Sequence, residues 1–112
     1  MAEEVILREP GDLLRFATPE EAARYMEPVD VRHGEWTAWD ATGRVLEPAV
    51  EEVRRGRGVF SVAVEQVVLH ATEAQDPGGL TDAIHEWLLK RGLDAPPPAN
   101  VEEALSAWRR LG

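Results

Sequence analysis

The stretch HGEWTAWDATGR, residues 33–44, decides how the rest of this chain is read. Asp40-Ala41-Thr42-Gly43 has the chemistry of a tight turn: Asp accepts hydrogen bonds from the amides that follow it, and Gly takes the left-handed position. Residues Glu35 to Trp39 then form one strand of a hairpin and Arg44 to Leu46 begin the other. On a strand, side chains alternate between faces, so Trp36 and Trp39 point in opposite directions. If helices cover one face, only one tryptophan joins that core. The expectation is Trp36 inward, with Trp39 on the opposite face beside Glu35 as an exposed anchor.

Working outward, Glu4 to Arg8 (EVILR) reads as a short strand. Thr18-Pro19-Glu20-Glu21 carries an N-cap threonine, a proline at the first helical position and a capping-box glutamate. The helix it opens runs through Met26, and Pro28 ends it. From Asp30 the pattern turns to β. Glu47 to Gly56 (EPAVEEVRRG) is open between a short helix and a strand. Proline first, acids early, two arginines late and glycine last suit a helix. The spacing of Val45, Val50 and Val53 suits a meander, and an extended or irregular segment is the reading taken here.

Val59 to His70 (VFSVAVEQVVLH) alternates apolar and polar residues, so Phe60, Val62 and Val64 should line a half-buried face. The run Val67-Val68-Leu69 breaks the alternation and suggests a bulge. After Pro77-Gly78-Gly79, residues 80–91 form an amphipathic helix with Leu80, Ile84, Trp87 and Leu88 on one side and Gly92 as its stop. Asn100 caps a last helix striped with Ala104, Leu105, Trp108 and Leu111. The expected fold is a single α+β domain over residues 1–112. It has an antiparallel sheet of three to five strands and about three helices, mostly on one face.

Composition excludes several classes of function. The chain has no cysteine, so disulfides and thiolate metal or redox sites are ruled out, and it suits a reducing, cytoplasmic setting. Its start is acidic, with an apolar run too short for a secretory signal, and no stretch is long enough to span a membrane. With a net charge of −9 and basic residues clustered only at Arg54, Arg55 and Arg57, binding to nucleic acid or to an anionic membrane is disfavoured. Such a field would steer a basic partner.

Catalytic motifs are sparse. His85-Glu86 lacks the second histidine of a zinc-protease helix. His33 and Glu35, with Asp30 or Asp40, are too few for a convincing metal site, and His70 is isolated. Ser61 and Ser106 occupy no nucleophile elbow. Gly56-Arg57-Gly58 and Gly78-Gly79 fit no phosphate-binding fingerprint. The pairs Glu20-Glu21 and Glu102-Glu103 sit where acids offset a helix dipole; Glu3-Glu4 and Glu51-Glu52 complete the set. No catalytic residue, metal site or cofactor is assigned.

One resemblance rests on TPEEAARYMEPVDVRHGEWTAWDATGRVLEP, residues 18–48. An acidic helix, then E-P-x-D-V, then G-E-aromatic-x-A-aromatic-D-x-x-G-R-x-L, is similar to small bacterial proteins of the immunity type encoded beside polymorphic toxins. That resemblance implies a cytoplasmic, non-enzymatic α+β protein that blocks a toxin domain. The charge and the tryptophan-carboxylate stretch suggest Glu35, Trp39, Asp40, Glu51 and Glu52 as contacts to a basic protein partner. Two other classes stay open. One is a small-molecule-binding or enzymatic domain with His33, Glu35 and Asp40 around a pocket. The other is a homodimer formed through sheet or helices.

Overall fold

A computed structural model describes residues 4–32, 34 and 36–111. Strands β1 (Val5–Glu9), β2 (Asp12–Phe16), β3 (Thr37–Asp40), β4 (Arg44–Arg55) and β5 (Val62–Gln75) form one antiparallel sheet in the order β2-β1-β3-β4-β5. Helices α1 (Pro19–Tyr25), α2 (Pro28–Arg32), α3 (Pro77–Lys90) and α4 (Val101–Leu111) flank it. The α+β class and the five antiparallel strands agree with the sequence reading.

Strand β1 explains the layering. Val5, Ile6 and Leu7 are all fully buried, although adjacent strand residues face opposite ways, so both faces of the sheet must be covered. Ile6 faces Trp39 across the β1–β3 ladder, in a core with Leu80, Ile84 and Leu88 of α3 and Leu105 and Trp108 of α4. Val5 and Leu7 point the other way, into a second core with Ala38, Leu46 and Val67, closed by Ala22 and Met26. The two long helices thus lie on one face, as the amphipathic patterns imply, while the two short ones cover the other.

The local signals behave as their chemistry requires. Thr18 accepts the Glu21 amide at 3.2 Å, and Asn100 accepts that of Glu103 at 2.8 Å. Asp76 caps α3 through the Gly79 amide at 3.1 Å. Pro28 does not merely end α1. It opens α2, so the β pattern expected from Asp30 is replaced by one further helical turn.

Beyond Leu46 the architecture changes. β3 pairs with β4 only at Ala38–Leu46 and Trp39–Val45, while β4 and β5 continue together to Arg55 and Val62. Residues 47–55 therefore carry a two-stranded arm about 30 Å past the shared part of the sheet. The radius of gyration is 16.0 Å against about 13 Å for a compact chain of this length, and the long dimension is 58 Å. The segment left open between helix and strand is the outgoing strand of this arm.

At the other end, an ionic contact fixes the sheet edge to α3. Asp12 accepts from Trp87 Nε1 at 3.1 Å and from Arg91 at 3.3 Å, and Arg91 also stacks on the Trp87 ring at 4.3 Å. The Trp87 hydrogen bond, then the Leu13 amide, and then Arg91 hold the Asp12 carboxyl below its ordinary value. A depressed carboxyl stabilises the fold above its unfolded pKa, and that contribution fades as pH falls through the folded value. Asp12→Asn is accordingly expected to lower the melting temperature by about 2–5 °C at pH 7. The gap to the wild type should narrow in thermal scans as pH falls below the ordinary aspartate value of about 3.9.

Candidate interaction surface

The residues proposed from sequence do not converge. Glu35, and His33 with it, lie outside the described residues. Asp40 has its carboxylate turned into its own hairpin: one oxygen accepts the Thr42 amide at 2.8 Å, the Thr42 hydroxyl at 2.6 Å and the Arg44 amide at 3.1 Å. That oxygen holds the turn, while the second carboxylate oxygen makes no hydrogen bond among the described residues.

Trp39 corrects the expectation directly. It is 2 % exposed and sits in the α3/α4 core, so it offers no surface to a partner. Trp36 does lie on the opposite face, as strand alternation demands. There it packs half-buried beside Tyr25, ring centroids 5.8 Å apart, with Phe16 5.3 Å beyond Tyr25. The outward assignment of Trp39 fails because helices cover both faces of the sheet here, Trp36 packing against one core and Trp39 lying within the other.

Glu51 and Glu52 are exposed on the arm and, being adjacent in a strand, project from opposite faces. On the α1/α2 side Glu52 stands directly across from Glu65, a like-charge pair, and Arg32 of α2 forms an ion pair with Glu65. On the other side, the cross-strand pairs Ala49–Val68 and Val53–Val64 form an apolar stripe that belongs to neither core, with Glu47 and Glu51 along it. His70 Nε2 lies 3.5 Å from Glu51.

The arm ends in an exposed apolar tip. Phe60 and Val62 were expected on a half-buried face. Instead Gly58–Phe60 is a 3-10 turn at the arm's end, where Val59 is 93 % and Phe60 84 % exposed and Val62 is also open. Arg54, Arg55 and Arg57 surround it. Arg54 reaches Ser61 Oγ at 2.8 Å and Arg55 reaches Gln66 Oε1 at 3.2 Å. The irregularity in the ladder falls between Arg44 and Leu46, at the foot of the arm, and not at Val67–Leu69.

Two open depressions flank the arm. One of about 420 Å³ lies between α1 and β5, against Ala23, Met26, Val67 and Leu69. The other, about 460 Å³ and largely apolar, lies where β3 stops, against Trp36, Ala38, Leu46 and Pro48. Displaced pKa values occur on the body of the molecule. Partial burial and then the Glu9 carboxylate raise Tyr25, while Lys90 and then Arg8 lower Glu86. Among the described residues no three His, Asp or Glu side chains are grouped as metal ligands, and no helix is long and apolar enough to cross a membrane. Comparison with protein-family models, curated proteins and solved structures returns no match.

Proposed function

We propose that the protein is a non-enzymatic binding protein whose contact surface is the projecting β4–β5 arm. The carrying observation is the arm's uncovered face, on which Ala49, Val53, Val64 and Val68 stay outside both cores with Glu47 and Glu51 beside them. An apolar centre with a charged margin is the composition of a protein–protein contact. Carboxylates on that margin, in a chain of net charge −9, favour a basic partner. The similarity of residues 18–48 to immunity-type proteins suggests what that partner is: a toxin domain whose cationic groove the acidic surface would block. Glu51 lies on this surface, whereas Trp39 lies in the α3/α4 core.

The test is affinity capture from the native host, with the wild-type chain, the double variant E51R/V64D and the control Glu102→Arg on α4 as baits. A basic protein should be retained by wild type and control, be released as salt rises to about 0.5 M, and be lost with the double variant. Capture of no basic protein, or of one indifferent to both salt and E51R/V64D, overturns the reading.

A further inference from the structure

The outer edge of β4 carries a charge pattern with a consequence of its own. Past Leu46, no strand among the described residues pairs with this edge, and Pro48 at its foot carries no backbone donor, so the pairing groups lie from Ala49 onward. The residues on it read Glu51-Glu52-Val53-Arg54-Arg55, a sequence whose charges reverse about Val53. Arg54 and Arg55 have no carboxylate partner among the described residues, and Glu52 meets only the like charge of Glu65.

We infer that the β4 edge pairs antiparallel with the β4 edge of a second copy of this chain, about a two-fold axis at Val53. Such an axis runs perpendicular to the sheet, so residues placed opposite each other share a face and the alternation of side chains is preserved. Val53 then meets Val53 of the second copy, Glu52 meets its Arg54, and Glu51 meets its Arg55. Four cross-strand ion pairs form, two on each face of a continuous four-stranded ribbon. The adjacent permitted registers are rejected by the same charges. Sliding one step in one direction sets Glu52 against Glu52, and in the other it sets Arg54 against Arg54. An edge whose charges repel other registers selects this one.

The register also accounts for the exposed tip. The paired segment ends where Arg55 of one copy faces Glu51 of the other, because β4 stops at Arg55 and Gly56, with φ +101°, turns the chain into the tip. Each tip, with Val59 and Phe60, is thereby directed toward the foot of the other arm, where the apolar depression formed by Trp36, Ala38, Leu46 and Pro48 lies. The paired ribbon leaves the Ala49–Val53–Val64–Val68 stripe open on one face; Glu51 is shared with the partner surface proposed above, whereas Glu52, Arg54 and Arg55 belong to the dimer edge alone, so R54E/R55E separates the two readings.

Sedimentation equilibrium of the full chain at roughly 100 μM, far above a micromolar Kd, should give about twice the 12.4 kDa chain mass. E51R/E52R alone and R54E/R55E alone should each be monomeric, since either change sets like charges face to face. Mixed together they should form a one-to-one heterodimer, because every facing pair is then of opposite charge. Phe60→Ser should weaken the wild-type dimer about tenfold or more. A monomeric wild type, a dimer that survives either inversion, or a mixture that stays monomeric overturns the inference. An unchanged Kd for Phe60→Ser overturns the seating of the tip.

Discussion

Replacing Trp39 by alanine is expected to remove about 3–5 kcal/mol of stability, in the range measured for large aromatic truncations in cores. That is a large share of the roughly 5–15 kcal/mol available to a domain, so the variant should be largely unfolded under mild denaturant. Trp39 is the largest of the fully buried side chains and, with Ile6, joins the central strands to α3 and α4. Its loss leaves a cavity between sheet and helices that neither rigid layer can close. Trp39→Phe should cost much less, about 1–2 kcal/mol, because most of the volume remains. The Trp39 indole N–H is buried without a hydrogen-bond partner among the described residues, and the change removes that unsatisfied donor. Phe60→Ala provides the contrast. At 84 % exposure it should alter monomer stability by less than about 0.5 kcal/mol. Urea denaturation of the three variants, run below any dimer dissociation constant, checks the order. Equal losses for Trp39→Ala and Phe60→Ala would contradict the layered core described above.

That ranking was only half legible in the sequence. The period of two forces Trp36 and Trp39 apart, and they are apart. Which of them reaches the larger core depends on where α3 and α4 land, and that is set by contacts more than 40 residues away in the chain. Signals that act within four residues were read well. Thr18, Asn100 and the Asp40–Gly43 turn are each settled by one side chain meeting nearby amides. β2 left no period to detect, because Leu13 and Leu14 are adjacent and both faces of their strand are covered. α2 is only five residues long, too short for any helical repeat to register.

The arm shows a different limit. In Glu47–Gly56 the proline, the early acids, the late arginines and the final glycine do resemble helix punctuation. The pairing of β4 with β5 from Leu46 to Arg55 overrides that preference. Pro48 is tolerable there because β4 is paired on one side only at that point within the described chain, with β5 and not with β3. Once the segment is a strand, its charges take on another meaning. Glu51 and Glu52 no longer crowd one helical turn, and instead face opposite sides of a ribbon. The candidate contacts could be named from composition, but their grouping could not. Glu51 belongs with Val53 and Val64, Asp40 belongs to its own turn, and Trp39 belongs to the core.

Gly43→Ala is expected to be the second most damaging simple change, at about 2–5 kcal/mol. Two independent terms add. Gly43 has φ +90°, where an L side chain costs about 1–2 kcal/mol. A Cβ there would also stand 2.7 Å from Pro77 Cα and 2.9 Å from Pro77 Cβ. Pro77 is the first residue of α3, and the Gly43 carbonyl accepts the Asp76 amide at 2.8 Å, so hairpin and helix are locked at this point. Backbone cannot swing away as a flexible side chain would, and overpacking of this kind costs roughly 1–3 kcal/mol more. Gly11→Ala separates the two terms. Its φ is +82°, yet a Cβ there would meet nothing within 4 Å, so only the conformational cost should appear. Chemical denaturation should therefore place Gly43→Ala well below Gly11→Ala. Amide exchange should quicken in the first turn of α3 for the former alone. Equal losses at the two glycines would mean that the β3–β4 turn does not press on α3, and that the helix is placed by its apolar face alone.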